Sequence, residues 1–237
     1  MKNRSIKNSS LLPITVCERA AGDAAPSATY HVSIGAGALS GLGTYYVEIT
    51  LTDGSGRGNG GSFASISHFS LHGGALGAVM APTMGDVTGA LGFEDTLVLS
   101  SANAGASGLA DFVQAFTVHK ANATIAFHLM LTSTGIEDIT PDAFSFQLLD
   151  AEFTPIATTG AVGTEMIGAD FNSLPLTVSG YQSSGAFRPS IVATITPVSS
   201  DSRPVAPIGI GSLSLSALLL RGSLRSRLRR ARRIRMG

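Results

Sequence analysis

Five histidines, two acidic pairs and one glycine-rich acidic stretch are the residues of this sequence whose types suit chemistry. His31, His68, His72, His119 and His128 are the metal-ligand candidates. The spacing of His68 and His72 would put both on one face of a helix. The stretch around them alternates like a strand, however, and on a strand such residues lie about 13 Å apart. One zinc ion, with ligand bonds near ~2 Å, does not bridge that distance. Exposed or locally hydrogen-bonded histidines are therefore expected, and no metal site. Asp53-Gly54-Ser55-Gly56-Arg57-Gly58-Asn59 places oxygen donors at alternate positions, as calcium loops do. Ala64 stands where the closing carboxylate belongs, and Arg57 would oppose the cation, so a glycine-rich turn is expected. Glu94-Asp95 and Glu137-Asp138 are read as solvated turn charges. A glycosidase needs two carboxylates at a set separation, and adjacent strand residues point to opposite faces. Pairing of acids distant in the chain is left to the fold.

No Gly-x-Ser-x-Gly elbow and no Gly-x-x-x-x-Gly-Lys loop occurs, and Lys120 is the only lysine of the central region. No catalytic residue, no cofactor-binding residue and no metal ligand is assigned, and no cofactor is expected. Tyr30, Tyr45, Tyr46 and Tyr181 suit stacking on sugar rings if exposed. Tyr45 and Tyr46 must point to opposite faces of one strand, and core packing is the simpler role for the set.

The elements that must position these residues are strands. Glycine numbers 28, charged residues make up 14% and tryptophan is missing, a mixture that favours turns and sheets over helical bundles. Tyr45, Val47, Ile49 and Leu51 alternate with polar neighbours, and so do residues of Tyr30–Ile34 and Phe63–Leu71. Further runs are Val87–Leu91, Thr96–Leu99, Phe112–Val118, Thr124–Leu131, Phe144–Leu149, Leu174–Val178 and Ile191–Ile195. Gly108–Gln114 has a helical turn as its alternative. Turn residues punctuate the runs at sandwich-like intervals. The expected fold is all-β: an antiparallel two-sheet sandwich, jelly-roll-like, over residues 29–198, with a C-terminal apolar helix and Arg-rich tail.

The two ends differ from this body. Residues 1–28 begin with Lys2, Arg4 and Lys7, followed by a short apolar run interrupted by Pro13. They read as a degenerate or mis-started export signal, with an unstructured N-terminus as the alternative. The single cysteine, Cys17, excludes an internal disulfide. Residues 199–207 read as a proline-interrupted linker. Residues 208–237 form the transmembrane or sorting segment, the uncharged run from Val205 to Leu220 leading into Arg221, Arg225, Arg227, Arg229, Arg230, Arg232, Arg233 and Arg235. Such a run suits membrane insertion with the basic end in the cytoplasm. Between Ala28 and Ser200, three basic residues face thirteen acidic ones. A body so acidic repels phosphates, which argues against nucleic acid as partner.

Body and tail together resemble the PEP-CTERM sorted proteins of bacteria. The tail supplies the hydrophobic and basic parts, with Pro204-Val205-Ala206-Pro207 where the Pro-Glu-Pro motif would stand. The body is similar to a domain found in such proteins through Gly85-Asp86-Val87-Thr88-Gly89 with Leu97-Val98-Leu99, Asp111 to Thr117, and Phe144 to Asp150 with Pro155 to Thr159. The resemblance implies export, the membrane and an exosortase-type protease as partners, and a place in or near extracellular polysaccharide. It also implies a sorting role for Pro204, Val205, Ala206, Pro207 and the arginines from Arg221 onward. The expected function is a non-enzymatic structural or adhesive protein of the cell envelope or extracellular matrix. A carbohydrate-binding module is the alternative, marked by an exposed aromatic row with polar neighbours, and a glycan-acting hydrolase is a third.

Overall fold

The computed structural model describes residues 27–55, 61–80, 84–102, 108–133, 140–160, 162–171, 176–185, 187 and 189–198. The expected export signal (apart from Ser27 and Ala28), the linker and the C-terminal segment lie outside the described residues. So do Pro204, Val205, Ala206, Pro207, Arg221, Arg225, Arg227, Arg229 and Arg230, and likewise Glu137 and Asp138. Among the described residues, no helix is long and apolar enough to cross a membrane.

The strands are β1 (Ser27–Gly35), β2 (Thr44–Thr52), β3 (Ser62–His72), β4 (Gly74–Val79), β5 (Asp86–Thr88), β6 (Thr96–Ser100), β7 (Leu109–Val118), β8 (Thr124–Ser133), β9 (Ala143–Leu149), β10 (Glu165–Asp170), β11 (Thr177–Gly180) and β12 (Ala193–Pro197). They form two antiparallel sheets of six. The first runs β12-β1-β8-β3-β6-β5 and the second β11-β10-β9-β2-β7-β4. Alternation explains their packing as a sandwich. Val47, Ile49 and Leu51 of β2 are fully buried, as are Leu129 and Leu131 of β8. The residues between them face outward and are half-buried or exposed. Phe127 ties the layers together, its ring centroid lying 5.8 Å from Phe69 on β3 and 5.2 Å from Phe146 on β9 of the other sheet.

The chain changes sheet at both ends of the sandwich. At one end β3 passes directly into β4 through Gly73, at φ +79, whose carbonyl accepts the His119 and Lys120 amides at 2.8 and 3.0 Å. A side chain there would be strained in backbone and would press on Lys120 and Ala123. At the other end Asp142, just before β9, joins two connections. Its Oδ1 accepts the Gly54 amide at 3.0 Å, and its Oδ2 accepts the Ser101 hydroxyl at 2.8 Å. The same Ser101 oxygen accepts the Ser62 amide at 2.9 Å. These bonds satisfy polar groups buried where the strands leave the sheets.

Several expectations are corrected. Gly108–Gln114 contains no helical turn: β7 starts at Leu109, because its alternate residues Ala110, Phe112, Gln114 and Phe116 face the core. The run Val87–Leu91 is a strand only through Thr88, since Gly89, at φ +85, turns the chain. Strict alternation over Phe63–Leu71 would put Phe69 outside with Phe63. A bulge between Ser67 and Ser70, with His68 at φ +54, resets the phase, and Phe69 is buried. Strands β4 and β10, GALGAV and EMIGAD, are additions to the expected set, and their short, small-residue sequences carry little period-2 signal.

Truncating the ring that spans the layers removes its stacking on Phe69 and Phe146 and opens a cavity in the core. Phe127→Ala is expected to cost about 3–5 kcal/mol in urea unfolding. The outward-facing Phe63→Ala is expected to cost less than about 1 kcal/mol.

Candidate functional site

The outer face of the second sheet is built around β2, which is paired on one side with β7 and on the other with β9. Its inward residues are spent on the core, so Glu48, Thr50 and Thr52 point outward. Cross-strand register arranges the neighbours in rows. One row reads Asp111, Thr50, Ser145, Gly168 and Ser179, from β7 to β11. The next reads Val113, Glu48, Gln147 and Glu165. A third carries Leu109, Thr52, Ala143, Asp170 and Thr177.

Over β9 and β10 the rows sink into a cleft of about 460 Å³. Thr50, Ser145 and Gln147 line it on one side, with Glu165, Asp170 and Tyr181 on the other. Glycine makes the depression possible. A Cβ on Gly168 would stand 2.5 Å from Glu165 Oε2, so a larger residue would displace that carboxylate. The Tyr181 ring lies against Gly160, where a Cβ would come within 3.1 Å of its Cδ2. A bulge between Glu165 and Ile167 sends Met166 and Ile167 both into the core and leaves Glu165 on the open face.

Glu165, Glu48 and Asp111 on this face are held above their ordinary pKa. Burial raises Glu165 first; the Val162 amide offsets part of this, and Asp170 adds to it. Burial also raises Glu48, with the Asp111 charge as second cause. Asp111 is raised by burial and lowered in part by the Phe112 amide. Its buried Oδ1 has no hydrogen-bond partner. Lys120, the only lysine or arginine among the described residues, sits apart from this face at the β7–β8 crossing. The face thus offers carboxylate, amide and hydroxyl groups beside an aromatic ring, a set suited to an uncharged polyhydroxylated ligand. At its other end Tyr46 of β2 stacks on Phe153, with centroids 4.2 Å apart and planes 19° from parallel.

The structure disperses some sequence candidates and gathers others. Asp53 is buried, and its Oδ1 and Oδ2 accept the Ser55 amide and hydroxyl at 2.9 and 3.0 Å, closing a turn. The rest of that loop, residues 56–60, lies outside the described residues. Glu94 and Asp95 are exposed. Tyr30 and Tyr45 are buried, whereas Tyr46 faces outward. Glu48 and Asp111 are brought together by the β2–β7 ladder, across more than sixty positions of chain that sequence spacing does not relate. His31, His68 and His128 gather on the first sheet, which sequence spacing does not show; the bulge at His68 and the ladder between β1 and β8 bring them there. Among the described residues, no three or more His, Cys, Asp or Glu side chains form a group able to hold a metal ion.

No known family, characterised protein or solved structure matches the chain.

The raised carboxyl of Glu48 gives a signed pH effect. The folded protein holds that proton to higher pH than the unfolded chain does. This contribution favours folding most at low pH and weakens as pH rises from about 4.3, the unfolded value, through the raised folded one. Glu48→Gln removes the buried charge, so its melting temperature at pH 7 is expected to exceed that of the parent. The difference should shrink as the buffer is taken toward about pH 4.

Proposed function

We propose that the chain is an exported, non-catalytic β-sandwich of the cell envelope or extracellular matrix, adhering to polysaccharide through the outer face of its second sheet. The carrying observation is the cleft over β9 and β10, where polar side chains and the Tyr181 ring converge around glycine. Sugars are recognised by such a mixture of apolar ring faces and hydrogen-bonding groups. Glu165 and Asp170 on one wall favour a neutral glycan over an anionic one. Export and anchoring rest on the apolar run ahead of Arg221 and on the resemblance to PEP-CTERM proteins. In this reading the tail is cytoplasmic before an exosortase-type protease acts, and the acidic body is outside. A jelly-roll topology fits the observed pairs β1–β8, β2–β7 and β3–β6, with β5 moved beside β6.

The full chain should be retained on beads of an insoluble neutral glucan and washed through on an anionic polysaccharide. Gln147→Ala is expected to weaken retention about fivefold, the loss of roughly one hydrogen bond, and Tyr181→Ala by at least as much. Failure to bind any neutral polysaccharide would oppose adhesion through this face. Release of reducing ends that disappears in Glu165→Gln would make the protein a hydrolase instead. For the anchor, a reporter carrying residues Pro204–Gly237 should fractionate with the membrane; a soluble reporter would contradict that part.

A further inference from the structure

His128 occupies the outer face of the first sheet with an imidazole on either side. The β1–β8 ladder sets His31 directly across from it, with ring centroids 5.6 Å apart and planes at 69°. On the other side β3 pairs Ser67 with His128, and the bulge that follows turns His68 outward. The His68 ring centroid lies 5.0 Å from that of His128, with the planes at 46°. All three residues sit on strands held by neighbours on both sides, since the sheet order is β12-β1-β8-β3-β6.

The local contacts favour a ligand role over a packing one. His31 and His68 are exposed and His128 is half-buried, so the rings have room to turn. His68 Nδ1 lies 3.3 Å from Ser67 Oγ, an interaction that orients the ring and leaves Nε2 as the nitrogen for a ligand. Burial, then the neighbouring His68 and His31, hold His128 below the usual histidine pKa. The other strands add no competing charge at these register positions. β12 places Thr196 across from His31, and β6 places Thr96 across from Ser67. The loop before β6 sets the Phe93 ring 5.8 Å from His68, with Glu94 and Asp95 following it in the chain.

We propose that His128 and His68 form a two-imidazole surface site for one borderline divalent ion, copper(II), nickel(II) or zinc(II). Imidazole nitrogens suit these ions, and two of them on fixed strands chelate where one does not. The three rings do not already stand as a three-ligand cage, so the pair holds the ion and water completes the coordination. The site faces away from the cleft of the second sheet and does not depend on what that cleft binds.

The test is calorimetric titration of the untagged full chain with copper(II) at pH 7.5, in a Cys17→Ser background so that the thiol plays no part. One saturable site is expected. His128→Gln and, separately, the exposed His68→Gln should each weaken it at least about tenfold, while His119→Gln, outside the patch, leaves it unchanged. Melting curves without metal confirm that each variant is folded. Absence of saturable binding by the parent, or undiminished binding by both His128→Gln and His68→Gln, would overturn the proposal.

Discussion

The antiparallel ladders on either side of β2 are the constraint on which the rest depends. β2 pairs with β7 over Thr44–Thr52 and with β9 over Tyr46–Thr52. A slip of one residue in either ladder would turn Val47, Ile49 and Leu51 to solvent and press Glu48 and Thr50 into the core. Burial of the apolar set therefore fixes the polar set, and the polar set is the candidate site. The site is the other side of the core pattern, not an addition to it.

That coupling carries a cost which the structure shows openly. Glu48, Asp111 and Glu165 are partly desolvated on one face, all raised above their ordinary pKa, and Asp111 keeps a buried oxygen without a hydrogen bond. A surface selected only for stability would replace these groups by neutral polar residues. Groups held in such surroundings are enriched at ligand sites, and of these three Glu165 lines the cleft. The polar knot of Asp142, Ser101 and Ser62 is the opposite case: every bond there closes a crossing between sheets, and its effect is on the fold.

Much of the fold was legible because the central strands obey a single period. Val47, Ile49 and Leu51, or Phe127, Leu129 and Leu131, announce one buried face each, and the two-sheet sandwich follows from many such strands. Legibility failed where the period was broken or weak. The bulge at His68 takes Phe69 off the face it would share with Phe63 and into the core, and β4 and β10 have too few large residues to alternate visibly. The site was less legible than the fold. Tyr181 and the glycan alternative were in view, but Glu48, Gln147, Glu165 and the carboxylate of Asp111 are related only through strand pairing. The same holds for the gathering of His31, His68 and His128. Sequence gives spacing along the chain, whereas these groups are neighbours across it.

Uptake of a neutral sugar by the outer face of the second sheet is tested most directly by amide chemical-shift mapping of the full chain during titration with a neutral oligosaccharide. Saturable shifts concentrated at Thr50, Ser145, Gln147, Gly168 and Tyr181 are expected. Shifts confined to the first sheet, or none at saturating sugar across a panel of neutral glycans, would contradict it.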